Sequence, residues 1–405
     1  MAVGIVIMML TACRTSQQMG DKGWWGNTRP KENAWVIRVS RPNAITQGLE
    51  GRHLSLWASH GRYYDNKKKR WAWQRAQLFG TCEDLFTQTF VMPYLAPMLE
   101  NAGAVVWMPR ERDWQTNEVV VDNDNPQVYR CTSDGFAVSP LTSAIEYRET
   151  GKWEATGLKG FANRKAVVID KGDKPFESGT SRMAKTTRGT ANATVEYTPS
   201  VPEDGDYAVY VSYRTMEKSV EDAHYTVYHG GEESHFIVNQ RMGGGTWVYL
   251  GTFRFTTDKR DRNAVVVDNG SSMSGVVTTD AVRFGGGLGT VMRNGTVSNT
   301  SRGNEGARYW GQYAGAPASV YTPKKDADDY TDDYSCRPIM MNWLAGGSCY
   351  VPDKDGLHVP IELSLAVHSD AGFRSDFKSI YGTLATSSWI DNYYVDSEGV
   401  MTKTK

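Results

Sequence analysis

Two histidines and one glutamate stand where side chains do chemistry. His60 closes the short apolar run Leu54–Ser59, His368 closes a second run, Pro360–Val367, and Glu83 opens a helical stretch. Open α/β sheets hold their ligands outside the carboxyl ends of strands, which is where both histidines fall. Two imidazoles and one carboxylate are the donor set of a zinc ion in an open catalytic site. Zinc so held lowers the pKa of a water in the fourth position toward ~7 and polarises an amide carbonyl. Each residue also has an ordinary alternative. His60 could cap its strand by hydrogen bonding, and Glu83 could be a first-turn acid favoured by the helix dipole. Asp370, two residues after His368, either hydrogen-bonds a metal ligand or turns the loop.

The elements that position these groups are legible around them. Leu54–Ser59 has the length and composition of a buried strand, and Pro360–Val367 repeats the pattern. Thr81 with Asp84 three residues on resembles a capping box. From Leu85 to Asn101 the apolar residues Leu85, Phe86, Phe90, Tyr94, Leu95, Met98 and Leu99 recur at helical spacing and predict a core-facing stripe, interrupted by Pro93 and Pro97. Asn101-Ala102-Gly103 ends the helix, and Ala104–Trp107 begins the next strand. A β–loop–α–β unit results, followed by Arg110-Glu111-Arg112-Asp113 and a strand at Glu118–Asp122.

Past Lys152-Trp153 the helical period disappears. Between Asn163 and Phe284 seven or eight short alternating runs, separated by Gly, Asp and Asn turns, predict an antiparallel β-sandwich. Gly285-Gly286-Gly287 marks its exit and reads as a hinge, since no strand-to-helix context or Gly-Lys-Ser/Thr accompanies it. The expected organisation is an α/β three-layer domain in two parts, 33–155 and 286–405, split by a sandwich at 160–285.

Composition sets the outer limits. The chain has 405 residues, 40% hydrophobic and 22% charged, which is globular and long enough for two domains. A net charge of −1 gives no reason to expect nucleic acid as a partner. Forty glycines, 21 tyrosines and 13 tryptophans favour β-structure and aromatic binding surfaces. Residues Val3–Leu10 are apolar but far short of the roughly 20 needed to cross a bilayer. With Leu10-Thr11-Ala12-Cys13 they resemble the end of a lipoprotein signal, 1–13, with Cys13 lipidated and 14–32 as a tether at the cell envelope. Cys82, Cys131, Cys336 and Cys349 show no metal-knuckle spacing. His53, His224, His229, His235 and His358 lack partner spacing and are expected to be structural or exposed. The acidic run Asp326–Asp333 is either a calcium loop or, more simply, a solvated turn. Arg302, Arg308, Trp310 and Tyr313 could contact a glycan or peptide, or lie on an ordinary helix face.

Taken together, Ser59-His60-Gly61, Glu83, Val106 through Asp113, and Leu365-Ala366-Val367-His368-Ser369-Asp370-Ala371 resemble the zinc-dependent N-acetylmuramoyl-L-alanine amidases. The middle segment is similar to the golvesin and xanthan-lyase carbohydrate-binding-like domain, on Asn239-Gln240, Gly243-Gly244-Gly245-Thr246-Trp247 and Asp280–Phe284. The combination resembles Bacteroidetes-type amidases sometimes labelled xanthan lyase, and it covers most of residues 45 to 385. The resemblance implies an amidase-like fold, Zn2+ on His60, Glu83 and His368, Asp370 beside them, and substrate contacts from Arg110, Arg302 and Arg308. It implies hydrolysis of the amide between N-acetylmuramic acid and L-alanine, with peptidoglycan or another envelope glycan as partner. Two departures stand out. Trp57-Ala58-Ser59 replaces the family's Asp-x-Gly, and the catalytic glutamate of the family's late strand has no counterpart after Tyr381. Glu398 lies in a turn, so the general base is expected beyond Lys405. Two other classes compete with the amidase: a non-catalytic glycan-binding lipoprotein, and a polysaccharide lyase.

Overall fold

Parallel and antiparallel ladders divide the chain between them. The computed structural model describes residues 30–43, 48–77, 80–124, 129–132, 135–140, 147–162, 168–258, 260–369, 393–395 and 401–403. Cys13, Asp370 and Glu398 lie outside the described residues, as do most of the expected signal and tether. Contacts group the chain into Glu32–Val367 and a second unit, Met1–Lys31 with His368–Lys405. Of the second unit's regular structure, the antiparallel pair Tyr393–Val395 and Met401–Lys403 is described.

The parallel sheet has β1 (His53–Ala58) at its centre, flanked by β2 (Val105–Trp107) and β3 (Ile361–Val367). Every residue of β1 is buried, as expected of a central strand read from a continuous apolar run. β3 departs from the expected buried strand. It forms the edge of this sheet, and Leu363 and Leu365 are 60% and 40% exposed. An apolar run records only that a strand can be buried, while its neighbours decide whether it is.

Between β1 and β2 the chain forms α1 (Glu83–Phe86), a turn at Gln88–Phe90, a π-helical turn at Val91–Leu95 and a last helical segment, Ala96–Asn101. Pro93 and Pro97 donate no backbone hydrogen bond, and the widened turn accommodates that loss. The widened turn also rotates the helix face. Val91 and Ala96 pack into the sheet with Leu54, Leu56, Val106 and Met108, and Phe90, Leu95 and Leu99 of the expected stripe pack partly against them, whereas Phe86, Tyr94 and Met98 are exposed. The expected capping box is absent too. Cys82 is the N-cap, without a side-chain bond, and Asp84 instead accepts from the backbone N–H groups of Gln74 and Arg75.

The strand ladders of the sandwich are antiparallel, and its main sheets have six and four strands. Tyr225, Val227, Phe236 and Val238 alternate inward with less buried neighbours between them. Its boundaries differ from those read in the sequence. Val36–Arg38 pairs with Glu232–Val238, Val119–Asp122 with Ala281–Phe284 and Tyr147–Thr150 with Thr194–Tyr197, so three strands from the expected first α/β segment belong to the sandwich sheets. Val119, Val120 and Val121 are almost fully buried, and only two-sided cover satisfies such a run.

Candidate metal centre

Backbone geometry brings His60 and Glu83 together beyond one end of the parallel sheet. Ala58 stands opposite Val367 in the ladder between β1 and β3, so His60 and His368 each follow just beyond a paired strand end. α1 begins at Glu83, whose carbonyl lies 3.1 Å from the Ser59 hydroxyl. His60 and Glu83 are buried and His368 is exposed. His60 Nδ1 is 3.6 Å from Glu83 Oε2. Zinc bonds of 2.0–2.1 Å in a tetrahedron imply donor separations of about 3.3 Å, so this pair is close to one tetrahedral edge. Donor chemistry and spacing both fit zinc.

The loop carrying His60 is braced from behind by two buried arginines. Arg110 donates to the carbonyls of His60, Gly303 and Glu305, the last two at 3.0 Å. Burial pushes the Arg110 guanidinium down to about 10, with Asp333, Asp84 and Glu305 partly offsetting that loss. Arg337, from helix α2 (Asp329–Ala345), donates to the Ser59 carbonyl. Gly61 is required by crowding: a Cβ there would sit 2.4 Å from the backbone of Glu305 and 2.7 Å from Arg110 Nη2. Thr87, one turn after Glu83, accepts from Ser59 N at 3.1 Å and ties the strand end to α1.

A fourth side chain, absent from the sequence reading, shares the cluster. Arg75 Nη2 is 3.2 Å from His60 Nε2, and its Nε is 3.6 Å from Glu83 Oε2. No motif marks Arg75, which lies in a loop between the Arg70–Ala72 strand and α1. Thr87 had a faint signal, being four residues after Glu83 and hence on the same helix face.

The three arginines expected at the substrate are engaged elsewhere. Arg110 braces the His60 loop. Arg302 pairs with Glu118 at 2.7 Å and stacks on Tyr313 at 3.7 Å. Arg308 is fully buried among Asp326, Asp329 and Asp332, with 2.7 Å to Asp329. That pairing also corrects the acidic run. Asp329 and Asp332 are buried and not part of a solvated turn, and Arg308 and Arg293 supply positive charge beside them. Among the other histidines, His53 is buried and accepts from Trp35 N at 3.0 Å, a structural role. Free thiols are present at Cys82 and Cys336.

Similarity to known proteins centres on the sandwich. Residues 141–286 match the family described as Golvesin C-terminal domain. A curated xanthan lyase of Bacillus sp. (strain GL1) is 28% identical over 134 residues, which is 29% of this chain and 14% of the lyase. The solved Paenibacillus xanthan lyase is 22% identical, covering 42% of this chain and 13% of that one, with a TM-score of 0.30. The N-terminal modules of a Clostridium thermocellum endo-1,4-beta-D-xylanase, solved with xylohexaose, are 13% identical over 44% of this chain and 30% of theirs, at a TM-score of 0.20. This chain therefore contains a golvesin and xanthan-lyase-like domain and spans 14% of the curated lyase's length. No helix among the described residues is long and apolar enough to cross a membrane.

Proposed function

We propose that the α/β part is a zinc-dependent amide hydrolase acting between N-acetylmuramic acid and L-alanine of peptidoglycan, with the sandwich as its glycan-directed module. The protein would work at the cell envelope, anchored through Cys13. The observation supporting this reading is the buried pair His60 and Glu83, with Nδ1 3.6 Å from Oε2 beyond the end of the central strand, while His368 directly follows the strand paired with it. When bound, zinc supplies a Lewis acid for the amide carbonyl. The chain's own residues hold the ligands. Arg110 and Arg337 fix the carbonyls of His60 and Ser59, and Thr87 fixes α1 against the strand end, so the imidazole and carboxylate are pre-oriented.

Metal analysis tests the reading directly. The purified protein should carry about one zinc, and His60→Ala, Glu83→Gln and His368→Ala should each lose it, since an open site has only three protein ligands. Cleavage is followed as release of stem peptide from purified peptidoglycan. Full zinc retention by His368→Ala sinks the assignment.

A second reading is favoured by the golvesin match and the xanthan lyase similarity: a polysaccharide-binding or lyase-related role in which the α/β part is a scaffold. It predicts retention on xanthan or a related polysaccharide without zinc. Unsaturated-sugar absorbance would mark lyase activity.

A further inference from the structure

Arg75 places a permanent positive charge inside the group of side chains that would hold a metal. Its Nη2 lies 3.2 Å from His60 Nε2 and its Nε 3.6 Å from Glu83 Oε2, so the two buried candidate ligands share one guanidinium. Arginine stays protonated throughout the working pH range, so it cannot leave by losing its charge. A divalent cation on His60 and Glu83 would meet that charge at contact distance, in a setting where like charges repel strongly. An imidazole that holds the ion through Nδ1 carries its proton on Nε2 and cannot accept there from Arg75, so the guanidinium cannot keep its present contact.

The loop around Arg75 confines the accommodation to its side chain. Asp84 accepts from the backbone N–H groups of Gln74 at 3.2 Å and Arg75 at 3.0 Å, and Gln74 Nε2 donates to Asp333 at 2.6 Å. The backbone is therefore pinned on both sides of the Cα. The side chain is 30% exposed, and Nη1 already reaches the Tyr330 hydroxyl at 3.1 Å, so a rotamer change carries the guanidinium outward without moving the loop.

We infer that Arg75 is a built-in competitor for the metal: its guanidinium balances Glu83 in the metal-free protein and must swing outward for zinc to bind. This rests on the zinc reading above and adds to it a residue that sets metal affinity. Removing the charge should tighten zinc binding, the opposite of what loss of a merely structural neighbour does. Arg75 also stabilises the empty site, so its removal should cost stability in the metal-free protein alone.

Zinc affinity by competition with a chromophoric chelator tests this on the full chain. Arg75→Gln should bind zinc at least about tenfold tighter than wild type, and Arg75→Lys, which keeps the charge, should stay near wild type. In parallel, thermal melts should show Arg75→Gln below wild type without metal and level with it at saturating zinc. Equal or weaker zinc binding by Arg75→Gln overturns the inference and leaves the metal centre standing. Failure of wild type and both variants to bind zinc at all overturns the metal centre and the inference with it.

Discussion

The hydroxyls of Ser59 and Thr87 lie 2.8 Å apart, and each is 3.1 Å from the carbonyl of Glu83. These two residues join the end of the central strand to the first turn of α1. One histidine and one glutamate, 23 positions apart in the chain, are thereby held as near neighbours.

Thr87→Val tests that junction. Valine keeps the shape but deprives Ser59 N of its acceptor in a buried setting, and an unmet buried donor costs about 1–3 kcal/mol. Urea unfolding should show a loss in that range with an unchanged m-value. Zinc affinity should fall about tenfold or more, as is typical when a support behind a ligand is removed.

His53 gives the fold a defined acid weakness. Burial pushes its imidazole down to about 4, and its Nε2 accepts from Trp35 N. A depressed folded value means the unfolded chain binds the proton first, so this stability is present above about 6.5 and is lost as pH falls toward 4. Between pH 7 and pH 5 the wild type should lose about 2 kcal/mol through this group. His53→Gln retains an acceptor for Trp35 but does not titrate. The difference in unfolding free energy between the two proteins should shrink by that amount on acidification, and a constant difference would reject the assignment.

Arg283 and Glu111 form a fully buried pair at 2.7 Å, with the guanidinium 3.8 Å from the Tyr210 ring centre. Arg283→Met leaves Glu111 buried without its partner, which should cost about 3–5 kcal/mol. Arg283→Met with Glu111→Gln should recover a large part of that loss. Chemical denaturation of the two single variants and the double variant measures the coupling.

The sandwich should need more chain than its alternating runs indicate. A fragment of residues 160–285 lacks Val119–Asp122 and exposes the buried edge of Ala281–Phe284. Burying a valine contributes about 1.5–3 kcal/mol, so three are decisive for a small domain. A fragment of residues 117–286 should melt cooperatively and well above 160–285. Equal melting temperatures would return the boundary to residue 160.

Local pattern was enough for much of this. The apolar run of β1 marked it as a strand that can be buried, and its flanking strands bury it. Residues 223–238 alternate with period two, and that period is the sandwich. Both histidines were marked by following apolar runs, and Glu83 by opening a helical stretch. Long-range packing decided the rest. The exposure of β3 depends on which strands flank it, and the outward turn of Tyr94 and Met98 depends on a π turn that shifts the helix face. Arg110, Arg302 and Arg308 look like ligand-binding residues in sequence, since arginine is usually solvated. Here carbonyls, carboxylates and aromatic rings from distant segments converge to bury them. Arg75 carries no local signal at all. Its role exists only because the strand end, α1 and its own loop meet at one point, and contacts between segments so far apart in the chain leave no period to read.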